Sequence, residues 1–188
     1  MRFRLFSVDF YFPFLVVALM STVMILDTTF KVCACLVSAI IHETGHLIAM
    51  CLFSIKPKSI TLKAFDIVID ADISNSFWSD LTVTLSGPLF NLLFSLAFFP
   101  VSKLLSLANI CIGIFNLLPI QTFDGGHALT LLLCSRFSAH TSEKIIKVIT
   151  FLFLVPFFFV GIMVLFYSKY NNSLLLISLY LVAILFTK

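Results

Sequence analysis

The chain has 188 residues, 61% of them hydrophobic and only 11% charged, and its mean hydropathy is +1.14. A water-soluble domain of this size cannot bury that much apolar surface, so composition excludes a soluble globular protein and points to an integral membrane protein. The net charge of +3 and the pI near 8.6 carry no sign of a nucleic-acid partner, because topology accounts for the basic residues.

The first residues, MRFRLFSVDF then YFPFLVVALMSTVMIL, have the basic start and apolar run of a signal peptide. No small-x-small cleavage site precedes the following DTTFK, so a retained first span is expected over residues 10–26. Further apolar runs predict spans over 32–53, 81–99, 104–120, 149–167 and 173–187. Several fall short of the ~20 residues of a straight crossing and need shielding neighbours or snorkelling flanks. The expected fold class is an all-α polytopic membrane protein of six transmembrane helices. It reads as a single domain over 1–188, with a core at 32–130 and accessory spans at 1–31 and 145–188. The 23 phenylalanines are lipid-facing and packing surface, and the five cysteines, odd in number and without zinc-finger spacing, read as free thiols.

Between the second and third spans, ITLKAFDIVID (60–70) does not have a helical pattern. Ile60, Leu62 and Ala64 alternate to one side, then Phe65, Ile67 and Ile69 to the other. This predicts a short β-strand or hairpin at the cytoplasmic surface, with an amphipathic interfacial loop as the alternative. With the N-terminus placed in the cytoplasm, Arg2, Arg4, Lys56, Lys58, Lys63, Arg136, Lys144, Lys147 and Lys188 fall inside. Lys31, Lys103 and Lys169 fall outside, a positive-inside bias that puts both termini in the cytoplasm.

The second span contains IIHETGHLIAM (40–50). Each charge at bilayer depth costs about 2.5 kcal/mol or more on insertion scales, so His42, Glu43 and His46 need a function. Residues four apart on a helix project from one face, and two imidazoles so placed can bind one Zn²⁺. Glu43 points to a neighbouring sector and can reach a water at the metal without being a ligand. That is the logic of the HExxH metalloprotease motif, two ligands and a general base. Polar contacts between helices are the alternative, but they do not require this order of residues.

A catalytic zinc needs a third protein ligand and an open position. Asp9, Asp27, Asp66, Asp70, Asp72 and Asp80 lie near or outside span ends, and His140 and Glu143 fall in an expected polar loop. Asp124 stands apart, in NLLPIQTFDGGHAL (116–129) just after the fourth span. Pro119 can break that helix, and Gly125 and Gly126 allow a tight turn with close backbone approach. Spans two and four run the same way through the membrane, so His46 and Asp124 both reach the cytoplasmic half. His127 as a fourth ligand would close the water position; a polar contact near the interface is the other reading.

HETGH in one transmembrane segment with NLLPIQTFDGG in a later one resembles the site-2 protease family of intramembrane zinc metalloproteases. The likeness is to its compact six-span bacterial branch, which includes the sporulation protease of endospore formers. The resemblance implies His42, His46 and Asp124 as ligands of one zinc ion per chain, and Glu43 as the catalytic glutamate. SGPLFN (86–91) is similar to the family's Gly-Pro-x-x-Asn feature, through Gly87, Pro88 and Asn91. The chain departs from the family at Gln121, where a second proline is usual, and no appended regulatory domain is recognisable.

The expected activity is therefore hydrolysis of peptide bonds in or beside a membrane segment of another protein, in a multi-pass protein of the cell membrane whose active site opens to the cytoplasm. Partners would be a substrate with a transmembrane segment, regulatory membrane proteins and the lipid bilayer. Asn91 and Asn116 read equally as substrate-orienting groups and as interhelical hydrogen bonds. Pro119, with Gly87 and Pro88, would loosen the helices for substrate binding. Two other readings stand beside this one: an ion or metal transporter lined by the same residues, and an inactive relative that binds membrane segments.

Overall fold

A computed structural model describes residues 2–5, 8–11, 13–62, 67–71 and 76–168. Its elements in chain order are β1 (Arg2–Leu5), β2 (Val8–Tyr11), α1 (Phe14–Leu26), α2 (Lys31–Leu52), β3 (Pro57–Leu62), β4 (Ile67–Ala71), α3 (Phe77–Phe98), α4 (Lys103–Asn116), α5 (Asp124–Cys134) and α6 (Ala139–Ser168). Contacts divide the chain into two compact units, Met1–Phe115 and Asn116–Lys188.

In the first unit the four strands form one sheet in the order β1-β2-β3-β4. β1 and β2 are antiparallel (Arg2 opposite Tyr11), β2 and β3 parallel (Asp9 opposite Ser59), and β3 and β4 antiparallel (Leu62 opposite Ile67). The parallel step needs a long crossover, and α1 and α2 supply it. Sequence reading assigned no strand to the first eleven residues, whose basic start looked like the flank of a span. Of the alternating residues, Ala64 and Phe65 lie outside the described residues.

α2 begins at a left-handed Phe30, whose side chain makes no capping hydrogen bond. Asp27 does the capping from outside. Its Oδ2 accepts the Val32 N–H at 2.7 Å, and its Oδ1 accepts from the Thr29 N–H at 2.9 Å and the Thr29 hydroxyl at 2.6 Å. At the other end Ser54 takes φ 56°, and the Ile55 N–H reaches back to the Met50 carbonyl at 2.9 Å, a Schellman-type stop that turns the chain toward β3.

Ala34, Ser38, His42, Gly45 and Ala49 form the buried face of α2, and α3 packs antiparallel against it. A Cβ on Gly45 would stand 2.8 Å from both Phe90 Cβ and the Ser86 carbonyl, so the helices approach as closely as a glycine permits. α4 joins α3 through the buried Ser106 hydroxyl, which donates to the Ser95 carbonyl at 2.8 Å.

The helices depart from the expected spans in several places. α4 stops at Asn116, ahead of Pro119, rather than reaching residue 120. The segment around Gly125 and Gly126 is the first turn of a helix, α5, with no positive-φ glycine. α6 starts at Ala139, so His140 and Glu143 are helical rather than in a loop; Ser138 accepts the Thr141 N–H, and Glu143 pairs with Lys147 one turn on at 2.9 Å. Among the described residues, three helices are long and apolar enough to cross a membrane: Lys31–Leu52, Phe77–Phe98 and Ala139–Val164. α1, with 13 residues, is about 20 Å long against a hydrocarbon core of about 30 Å. The expected span over 173–187 lies outside the described residues. These helices have the character of a membrane protein.

Candidate metal centre

The two histidines of HETGH sit on the α3-facing side of α2, His42 buried at 6% exposure. Their Nε2 atoms face each other at 3.1 Å, with ring centroids 4.8 Å apart and planes crossed at 80°. His46 is oriented from behind. Its Nδ1–H donates to the Val83 carbonyl on α3 at 2.8 Å, and the same carbonyl accepts the Ser86 hydroxyl at 2.6 Å. With the proton held on Nδ1, a neutral His46 turns the lone pair of Nε2 toward His42.

Two facing imidazole nitrogens suit a shared cation. Nitrogens at ~2.05 Å from a tetrahedral zinc ion stand about 3.3 Å apart, close to the separation here. The carbonyl behind His46 is the usual second partner of a metal-ligating histidine. The donor set of the first unit therefore fits a zinc ion.

Space for the pair comes from Gly87. A Cβ there would overlap His46 Nε2 and lie 2.9 Å from His42 Cε1. Pro88 and Asn91 continue the buried face of α3, and the Asn91 side chain is fully buried with no hydrogen-bond partner on either amide atom. Glu43 follows His42 on α2 and is half-buried.

In the second unit, Asn116 ends α4, and residues 117–123 run as a compact turn to Asp124, which opens α5. The Phe123 N–H donates to the Ile120 carbonyl at 2.8 Å within that turn. Asp124 lies in the first turn of α5, where a carboxylate meets the positive end of the helix dipole. The two glycines after it let the helix start fold back on the turn: a Cβ on Gly125 would overlap the Leu117 carbonyl, and one on Gly126 the Ile120 carbonyl. His127 and His140 are exposed.

Sequence reading missed the Val83 carbonyl, because a backbone acceptor carries no residue-type signal. It saw Gly45 only as the middle of the motif. Thr150, whose hydroxyl accepts the Gln121 N–H at 2.9 Å, also escaped it. Its signal was available, as the one hydroxyl in the apolar run ITFLFLVPFFFV (149–160).

Residues 100–160 match the family model for peptidase family M50. A curated protein of Synechocystis sp., named provisionally as a zinc metalloprotease, is 30% identical over an alignment of 106 residues, with 49% of this chain and 28% of that protein covered. The chain thus spans under a third of that relative's length. The solved site-2 protease from Methanocaldococcus jannaschii has the same fold, with a TM-score of 0.73 and 23% identity over 96% of this chain and 91% of that one. Residues 100–160 thus resemble peptidase family M50, and the chain has the fold of a solved site-2 protease.

Proposed function

We propose that the chain is an intramembrane zinc metalloprotease that hydrolyses peptide bonds in or near transmembrane segments of membrane-anchored proteins. The observation that carries this reading is the facing histidine pair, its tautomer held by Val83, on a helix long and apolar enough to span a bilayer. Ionisable groups so placed need a function or a partner. The likeness in fold to a solved site-2 protease, which runs through both units, supports treating His42, His46 and Asp124 as one ligand set.

In this reading the whole chain, 1–188, acts as one protease domain. The bound zinc ion supplies a Lewis acid and lowers the pKa of a water beside it. Glu43, next to His42 and outside the ligand face, takes the proton of the attacking water and returns one to the leaving amine. Asn91 offers an amide with both polar atoms unused, suited to a strained peptide carbonyl or N–H of the substrate. Asn116 precedes the turn that leads to Asp124 and Pro119 lies within it, and both line the substrate path.

A helical substrate keeps its carbonyls in internal hydrogen bonds, so it must unwind before it can be cut. β4, which pairs only with β3 among the described residues, has an edge on which an extended segment can add as a further strand. The protein sits as a multi-pass protein in the cell membrane, with both termini and the site opening to the cytoplasm. Release of a membrane-held transcription factor, in sporulation or envelope stress, is the role that fits this chemistry.

The test pairs metal analysis with a cleavage assay on single-span substrates. Purified wild type is expected to hold one zinc ion per chain. Glu43→Gln is expected to keep the metal and lose at least about 10²-fold in cleavage rate. Undiminished cutting by Glu43→Gln removes Glu43 as the base, and a metal-free, active wild type removes the mechanism.

A further inference from the structure

α6 carries a stripe of buried residues at one-turn intervals, Ser142, Ile146, Thr150 and Leu154, each at 2% exposure or less. Ile and Leu on this stripe are core. Thr150 differs because its hydroxyl makes a specific long-range contact, accepting the backbone N–H of Gln121, 29 residues earlier, at 2.9 Å.

Gln121 lies in the middle of the turn between α4 and α5. It is half-buried beside Ile120, which is 2% exposed, and its N–H takes its acceptor from inside the protein. The turn in turn supports the start of α5. A Cβ on Gly126 would overlap the Ile120 carbonyl and lie 2.9 Å from Gln121 Cα, so the first turn of the helix rests directly on these two residues. Asp124 is two residues before Gly126 in that same helical turn. A shift of Gln121 therefore moves the platform on which the Asp124 carboxylate is presented.

We propose that Thr150 is a positioning residue for the Asp124 carboxylate, acting through the Gln121 N–H and the Gly126 contact. The inference rests on the reading of Asp124 as a metal ligand. Removing the acceptor frees the turn from α6, and the carboxylate loses its fixed placement while α6 keeps its packing. Partners that orient a ligand from behind commonly contribute 10- to 100-fold in metal affinity, which sets the scale of the effect.

The experiment measures Co²⁺ binding to the purified full-length chain in detergent, by the ligand-field absorption of the bound ion and by competition with a chromogenic chelator. Thr150→Val is expected to weaken Co²⁺ binding by about tenfold or more and to alter the absorption bands, while Thr150→Ser, which keeps the acceptor, binds within about twofold of wild type. If the Val variant does not accumulate, Thr150→Ala takes its place with the same expectation. Ile146→Ala, one turn away on the same stripe, removes packing without touching the Gln121 N–H; it is expected to lower the unfolding temperature and leave Co²⁺ binding unchanged. Wild-type binding by the Thr150 variant, or equal weakening in Ile146→Ala, overturns the positioning role. Asp124→Asn separates the two ideas. Weak binding there with a wild-type Thr150 variant defeats the inference alone, whereas wild-type binding by Asp124→Asn defeats the ligand assignment on which it rests.

Discussion

His46 has Nδ1 committed to the Val83 carbonyl, and this turns its Nε2 toward that of His42. α3 supplies both the Val83 carbonyl that holds the ring and, one turn on, the space at Gly87 that accommodates it. A methyl group at 87 would strike the outer atoms of both imidazoles, which can swing aside, rather than backbone, which cannot. Gly87→Ala is therefore expected to fold with little loss of stability but to bind Zn²⁺ at least about tenfold more weakly, as measured by chelator competition. An unchanged affinity would mean that the rings as placed here are not the liganding arrangement.

At the scale of elements, α2 is defined by its ends and by its contact with α3. Gly45 faces the α3 backbone at Ser86 and Gly87, where nothing can yield. Gly45→Ala is expected to destabilise the protein by about 1–3 kcal/mol, read from thermal unfolding in detergent, in contrast to Gly87→Ala. Asp27 holds the other end. The Thr29 hydroxyl, then the Val32 and Thr29 N–H groups, hold its carboxyl below the usual carboxylate range. A lowered folded value means that the charged cap contributes stability above the unfolded pKa of about 3.9, and that this is lost as pH falls through the lower folded value. The protection factor of the Val32 amide is expected to hold from neutral pH down to about 4 and to fall below it; Asp27→Ala is expected to show the lower protection at neutral pH.

The strands and α5 show what an element-by-element reading of the sequence can and cannot see. Apolar runs marked α2 and α3 to within a few residues, because a membrane-type helix needs only length and hydrophobicity. β1 and β2 were hidden because four-residue strands are stabilised by their partners, here β3 for β2 and β2 for β1, and not by a pattern of their own. α5 was hidden because a helix that opens on Asp-Gly-Gly looks locally like a turn; the glycines serve close packing on residues 117–121 instead.

For the whole molecule, the distribution of lysine and arginine predicts its orientation. In a variant without the native cysteines, Thr28→Cys is expected to react with a membrane-impermeant maleimide in intact cells. Phe137→Cys, on an exposed side chain after α5, is expected to react only after permeabilisation. The reverse pattern would turn the protein over and place the candidate site on the outer face.

The sequence by itself determined the membrane character and the placing of two histidines on one helix face, because hydropathy and an i,i+4 spacing are local properties that residue types reveal. Only the tertiary structure decided which nitrogen of His46 is committed, why position 87 lacks a side chain, and what secures the turn before Asp124. Those depend on a carbonyl, a vacant volume and a hydroxyl brought in from segments dozens of residues away. Backbone groups and empty space leave no mark in a one-dimensional string.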